Sequence, residues 1–512
     1  MNSFVPINRV PSDVLSLIPT HLSSQDRFRA SFVCRHWRRT FLQHAALWSH
    51  LYLSKGEVYA KTLLERAKGS PLAILASSMD PIGTVALLPP HTKQIADLEF
   101  VNSRWADIQG FSETVSGPLP LLRTLNVSVI QGINPDGLDT VTPSSHSLFS
   151  GAVGLKEFCL HSARSPFLRH FVFPNLTSFE LSVTIPGGGP FRGSQLLDFL
   201  EASPILQTVR MEIISPISLE DIPQEKVVVL HNVESLCLAV RGEGPGYPLA
   251  THISCPSVKH TSFTHTREEG QYRDPDLEKF LAPAELKAIV HQYTRDPIEG
   301  VALETEARSD CFIRCSLTFR SADMTTIMLR YEVPESDNLG TYEWRRTFSA
   351  MYCEVLSRAY RTILDLPLLT DVKRLRMCGP PVPDLDLGGW MMYIARDLKG
   401  LMSLGPLEEL TICHCDMQPY LFRYLFESRA EEPAAYPPIR VLTISNPLDM
   451  YREDFAGGFV ELVKAQHELG VPFERVTVRM NYPPAGMEER LRPWVGTVDC
   501  YDVPCEDVYG PM

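Results

Sequence analysis

The chain lacks the marks of several common protein classes. Its first ten residues carry neither a basic start nor an apolar core, so no secretory signal is expected here. No apolar run is long enough to span a bilayer, because the most apolar stretch, Leu72 to Leu88, is interrupted by Asp80-Pro81. Cations are in short supply. The 512 residues hold 48 Lys and Arg against 61 Asp and Glu, a formal charge of −13, which repels phosphate and argues against nucleic-acid binding by bulk electrostatics. Twelve cysteines are scattered rather than framed, and without a secretory signal they read as reduced thiols. These absences predict a cytoplasmic and/or nuclear protein that engages neither a membrane nor nucleic acid. In that setting the glycosylation-like triplets at Asn126 and Asn175 carry little weight.

Signatures of chemistry are missing as well. There is no Gly-x-Ser-x-Gly, no His-Glu-x-x-His and no Walker loop. In Cys413-His414-Cys415, successive strand residues point to opposite faces, so the three do not readily share a metal. Cys311 and Cys315 have no second pair, and Asp384, Asp386, Glu488 and Glu489 read as solvated acids. The glycine-rich stretches 186–190 and 242–246 lack the strand–turn–helix frame of a phosphate cradle and read as loops. No enzymatic activity, cofactor or metal is expected.

What the chain has in quantity is patterned apolar residues, 44% of the total against 21% charged, the balance of a folded protein. Residues 7–48 pack three short amphipathic helices into about forty positions. Val14, Leu15, Ile18 and Leu22 form one helical stripe, and Val33, Trp37 and Phe41 form another, with Cys34 on its apolar face. Ser24 is placed to cap the middle helix, with Asp26 in its positively polarised first turn. Pro19 is expected to end or kink the first helix. A unit this small cannot bury its own apolar groups, so the remainder should belong to a partner or to the rest of the chain.

The ordered set Val10-Pro11, Leu15, Leu22, Asp26, Val33-Cys34-Arg35-x-Trp37-Arg38 and Leu47-Trp48 resembles an F-box, of the kind seen in fungal-type F-box proteins. Two positions depart from the pattern. Pro19 stands where a helix-compatible aromatic is usual, and Arg27 stands where an apolar residue usually follows the aspartate. The resemblance implies that this segment docks on a Skp-type adaptor, and through it on a cullin–RING ubiquitin ligase. The rest of the chain would then hold an unknown protein substrate. Pro11, Leu15, Ile18, Leu22, Val33, Cys34, Trp37, Leu47 and Trp48 would make adaptor contacts or support them from behind. The basic cluster Arg27, Arg29, Arg35, His36, Arg38 and Arg39 would flank the docking face and meet an acidic partner. A scaffold that binds proteins through its repeats without recruiting a cullin stays open as the alternative.

The body of the chain repeats a phrase, apolar-x-x-apolar-x-apolar. It begins at Ile95, Leu122, Leu155, Leu176, Leu206, Val233, Ile298, Val372, Leu407, Ile439 and Phe473, with a degenerate copy at Val258 that has Thr261 at the middle position. Proline sits one or two residues before eight of these twelve phrases, where about two would be expected from 41 prolines in 512 residues. Proline stops a helix and favours extension, so each unit reads as helix, stop, short strand. Helices are expected at 59–67, 196–200, 351–364, 391–402, 420–426 and 459–469, and a strand at 71–75. Strand-plus-helix units of this size must stack to bury a core.

The fold class expected is therefore α/β: an N-terminal three-helix F-box at 1–54, then an irregular leucine-rich-repeat-like solenoid at 55–500 with a parallel sheet on its concave face, then a tail at 501–512. An insertion at about 304–346 breaks the period. Within it, Phe312–Phe319 and Thr326–Val333 read as a hairpin, either a plain addition at the solenoid's edge or a partner-contacting element. Trp105, Trp344, Trp390 and Trp494 read first as packed within their repeats, with anchoring of a substrate as the alternative.

Overall fold

The computed structural model describes residues 11–18, 22, 24–77, 82–129, 148–162, 168–184, 191–214, 217–223, 225–241, 247–266, 289, 292–293, 298–308, 312–321, 326–334, 372–378, 407–413, 439–446, 452–480 and 486–502. The chain divides into two units, residues 1–233 and 234–512.

The first unit opens with helices α1 (Ser12–Leu17), α2 (Ser24–Ala30) and α3 (Arg35–Gln43), then a 3-10 turn at Ala45–Trp48. Strand β1 (His50–Tyr52) and helix α4 (Glu57–Ala67) follow. From β1 onward the strands add in chain order: β2 (Leu72–Ser77), β3 (Ile95–Ser103), β4 (Thr124–Val129), β5 (Glu157–Ser162), β6 (Ser178–Thr184) and β7 (Thr208–Ile214). Every neighbouring pair is parallel.

The repeated phrase explains this order. Its second and third apolar positions fall two apart on a strand and so share a face. The register carries them into columns. Leu51, Ile74, Leu98, Leu125, Phe158, Phe179 and Val209 form one, and Ala76, Phe100, Val127, Leu160, Leu181 and Met211 form the next. All thirteen side chains are buried. In β4 to β7 the first apolar position lies just before the strand, and the residue after it bonds the preceding repeat. Arg123 N–H donates to Ala96, Lys156 to Arg123, Thr177 to Lys156 and Gln207 to Thr177, at 2.8–2.9 Å. The opposite sheet face alternates outward with exposed or half-exposed residues.

Behind the sheet, aromatic rings fill the gap to helices α5 (Trp105–Thr114) and α6 (Gly193–Glu201). Phe158 is the hub. Its ring lies 4.8 Å from Phe171, 5.3 Å from Phe173, 5.9 Å from Phe179 and 6.0 Å from Phe199.

The second unit begins with parallel strands β8 (Ser235–Arg241) and β9 (His260–Thr266). Strands β10 (Ile298–Arg308), β11 (Phe312–Ser321) and β12 (Thr326–Pro334) then form an antiparallel meander. The expected hairpin is present, with Phe319 opposite Ile327. It does not sit at the sheet's margin: β12 pairs with β9, and β10 pairs with the next strand, β13 (Arg374–Cys378). The meander thus continues the sheet from within, and its outer strands each satisfy a neighbour's backbone groups.

Parallel pairing resumes through β14 (Glu409–Cys413), β15 (Val441–Asn446), β16 (Arg475–Met480) and β17 (Thr497–Asp502). The link between repeats recurs at Lys373 to Glu299, Glu408 to Lys373, Arg440 to Glu408 and Glu474 to Arg440, each at 2.8 Å. Helix α7 (Arg452–Glu468) carries a buried face of Ala456, Phe459, Val460 and Val463. The helices expected at 351–364, 391–402 and 420–426, the loops at 186–190 and 242–246, and the residues Pro19, Cys311, Trp344, Asp384, Asp386, Trp390, His414 and Cys415 lie outside the described residues.

Two substitutions test this packing. Phe158→Ala is expected to lower unfolding free energy by about 3–5 kcal/mol in urea titration, since it empties the ring cluster. At the degenerate phrase, Thr261 is buried in a leucine column and its hydroxyl has no hydrogen-bond partner. Thr261→Val is expected to raise stability by about 1 kcal/mol in the same assay, because the stranded hydroxyl is removed at nearly constant volume.

Candidate docking site

Pro11 occupies the N-cap of α1 with extended backbone (φ −56°, ψ 148°), where its missing N–H costs nothing. The helix ends at Leu17, two residues before Pro19, in keeping with the bias against helix ahead of proline. Among the side chains described in it, Leu15 has no exposed surface. Val14 is 45% exposed, Leu17 62% and Ile18 36%. The expected stripe is therefore split. Leu15 faces the helices, Ile18 turns to solvent, and Leu22 is half-buried.

A tight turn at 31–34 joins α2 to α3. Ser31 donates to the Arg27 carbonyl (3.1 Å), Phe32 to Arg29 (3.0 Å) and Val33 to Ala30 (3.1 Å). The turn throws Phe32 (69%) and Val33 (61%) outward. Two expectations are corrected here. Cys34 is not inside a helix; it is the N-cap of α3, extended (φ −158°, ψ 172°), half-exposed, with Sγ accepting from the Trp37 N–H at 3.5 Å. Val33 consequently precedes the helix and does not share the buried stripe of Trp37 and Phe41, whose rings lie 5.5 Å apart.

The buried side of the segment ends on Trp48, 2% exposed, whose indole N–H donates to the Phe41 carbonyl at 2.8 Å. Phe28 meets it edge-on at 5.1 Å, and the Arg66 guanidinium of α4 lies 4.7 Å over its ring. Tyr59, also on α4, packs 5.9 Å from Phe28. Leu47 and Trp48 thus face inward, sealed by the chain's own fourth helix. Arg27, at the position that departs from the resemblance, is a staple. Nε donates to the Leu22 carbonyl (3.0 Å) and an η-nitrogen to the Leu47 carbonyl (3.1 Å), tying two chain segments that an apolar side chain would leave unjoined.

The nine predicted positions therefore fall into three groups. Leu15, Trp37, Leu47 and Trp48 are buried supports; Pro11, Ile18 and Val33 are exposed; Leu22 and Cys34 are intermediate. Val14, Leu17 and Phe32 are exposed as well. Periodicity placed Val14 in the stripe of Leu15 and assigned Leu17 and Phe32 to no site. Arg35, Arg38 and Arg39 are likewise exposed, with Arg38 lying 5.5 Å over the Phe32 ring and Arg29 paired with Asp26 at 3.2 Å. Apolar and cationic side chains are thus exposed together within residues 11–39.

Elsewhere the described side chains offer little chemistry. The Cys159 Sγ lies 3.1 Å from His161 Nε2, the spacing of a nucleophile and its base. Burial first, then Glu180, pushes that thiol up to about 11 against the pull of Arg210, so it stays protonated at neutral pH. Burial pushes Cys255 up to about 12. Among the described residues no group of three His, Cys, Asp or Glu is placed to hold a metal ion. No described helix is long and apolar enough to cross a membrane. Of the tryptophans considered as anchors, Trp105 packs edge-on against Phe171 (5.8 Å) and Trp494 against His467 (5.6 Å), and both are half-buried.

Cys34→Ala is expected to destabilise α3 by about 1 kcal/mol and to speed amide exchange at Trp37, whereas Cys34→Ser should hold exchange at or below the wild-type rate, because serine caps at least as well. Hydrogen-exchange mass spectrometry over residues 34–43 reads the difference.

Compared with known families, residues 7–54 match the model described as F-box-like. No curated protein matches the chain.

Proposed function

We propose that an F-box at residues 1–54 makes this chain a substrate-recognition subunit of an SCF-type cullin–RING ubiquitin ligase. F-box domains generally bind Skp-type adaptors within cullin complexes, and the proteins that carry them are generally adaptors rather than enzymes. The observation that carries the reading is the exposed apolar surface of Pro11, Val14, Leu17, Ile18, Phe32 and Val33 inside the F-box-like match. Burying a side chain of this kind is worth roughly 1.5–3 kcal/mol, so several exposed together on one small segment favour a protein partner. The exposed arginines favour an acidic one. Leu15, Trp37, Leu47 and Trp48 support the surface from behind.

Residues 55–500 then form an irregular leucine-rich-repeat-like solenoid, and its open sheet faces hold a protein target. The support is the chain-order parallel pairing of β1 to β7 and of β13 to β17, with the recurring backbone link from each repeat to the next. Such a subunit catalyses nothing itself. It raises the local concentration of its target beside ubiquitin-transfer subunits in the cytoplasm and/or nucleus.

Pull-down of the tagged full chain with a Skp-type adaptor and a cullin tests this. Phe32→Asp with Val33→Asp is expected to cut adaptor recovery at least about tenfold with an unchanged melting temperature, since both side chains are already exposed. Trp37→Ala should lose the adaptor together with roughly 3–5 kcal/mol of local stability. Wild-type adaptor recovery in the aspartate variant overturns the docking surface. Adaptor without cullin converts the reading to a scaffold outside SCF-type ligases.

A further inference from the structure

The outward face of the first unit's sheet is sorted by charge. Along β3 to β7 it presents Asp97, Glu99, Glu157, Glu180 and Glu212 against one arginine, Arg210, which lies 3.8 Å from Glu180 in an exposed pair. Between them stand Thr124, Asn126, Ser178, Ser182 and Thr208, neutral and hydrogen-bonding. Arg123 and Lys156 precede their strands at the rim, and the Lys156 ammonium is turned onto the Asn175 carbonyl at 3.4 Å.

At the β1–β4 end the face dips into a shallow hollow, open to solvent, whose walls include Tyr52, Leu75, Asp97, Glu99 and Asn126. The register explains it. Tyr52, Leu75, Glu99 and Asn126 align across four strands, and so do His50, Ala73, Asp97 and Thr124, where the small Ala73 leaves space. His50 does not neutralise the two acids. Partial burial of its ring and then Arg27 hold it below the usual histidine range, against the opposite pull of Asp97. A ring and an aliphatic side chain beside two carboxylates match the stem and head of a basic side chain.

We infer that this face takes an extended, cationic stretch of the target protein and seats one lysine or arginine side chain in the hollow between Tyr52, Leu75, Asp97 and Glu99; this rests on the reading of the open sheet face as the target's site. The dimensions agree. Four strand spacings from β3 to β7 cover about 19 Å, the length of roughly six extended residues. The same carboxylates that favour a basic peptide repel phosphate, so a nucleic acid does not fit. Exposed pairs of this kind are individually weak, so affinity comes from the row and from the seated side chain together.

The test uses the full chain and three labelled peptides of equal length: arginine alternating with serine, glutamate alternating with serine, and serine with glycine. Fluorescence anisotropy is expected to show binding of the arginine peptide alone, weakened about tenfold by Asp97→Asn with Glu99→Gln. Glu65→Gln, on the exposed side of α4, should leave it unchanged. Asn126→Trp, which fills the hollow, should weaken it as strongly. Equal arginine-peptide affinity in wild type and the Asp97/Glu99 variant overturns the inference, as does equal weakening by Glu65→Gln. Binding of the glutamate or neutral peptide that Asn126→Trp abolishes overturns the cationic class while keeping the face as the target's site. Binding of every peptide untouched by Asn126→Trp overturns both. Adaptor recovery is unaffected by any of these outcomes, because none of the substitutions lies in residues 1–54.

Discussion

A short strand cannot stand by itself in water with one apolar face and two rows of unpaired backbone groups, and everything in this chain follows from that constraint. Each repeat contributes about six residues of strand, and its Leu, Val or Phe side chains are buried only when a second repeat carries the same spacing. The column Leu98, Leu125, Phe158, Phe179, Val209 is the result. So is the single bond that each repeat's first backbone N–H makes to the repeat before it. Where the side-chain pattern weakens, at Thr261, the backbone ladder persists and holds a threonine in a leucine's place with its hydroxyl unmatched.

The same constraint explains why so much was readable from residues and why some was not. The phrase predicts strands because two apolar residues two apart must share a strand face, and proline before it stops whatever helix came earlier. The hairpin at 312–333 was readable for the same reason. Its position inside the sheet was not, because strand order depends on which edge remains open and no single segment records that. The phenylalanine cluster around Phe158 also escaped. Phe171, Phe173 and Phe199 lie outside the phrase, and what gathers them is the volume left between sheet and helices. In the N-terminal segment, spacing placed Val33 with Trp37 and Phe41. One backbone fact defeats that placement: Cys34 is extended, so the helical count starts after it. Ile18 lies just past the end of α1, at its C-cap, and is exposed, while Leu15 fills the helix's buried side.

Arg27 shows how a departure from a family pattern becomes structure. An apolar residue there would add area to the core. The arginine instead reaches the Leu22 and Leu47 carbonyls, fastening the entry of α2 to the turn that carries Trp48. Trp48 in turn is closed over by Arg66 and by the Phe28–Tyr59 pair, so α4 and the first three helices share one small core. The segment proposed to dock a partner is thereby joined on its inner surface to the first strands. A receptor of the proposed kind needs that rigidity, because proximity has value only where the distance between the two bound partners is set.

Charge completes the argument. In a chain with an excess of thirteen acids, five arginines collect within residues 27–39, among exposed apolar side chains, while the outward strand face of the same unit sets Asp97, Glu99, Glu157, Glu180 and Glu212 against Arg210. Two partners of opposite charge are thus favoured at two places. An acidic adaptor is repelled by the sheet face that would hold the target, and a basic target segment is repelled by the arginines of the docking segment. Discrimination between partners comes from what each surface repels as much as from what it attracts. On the proposed reading, the separation by sign would let one chain hold both partners at once without either competing for the other's place.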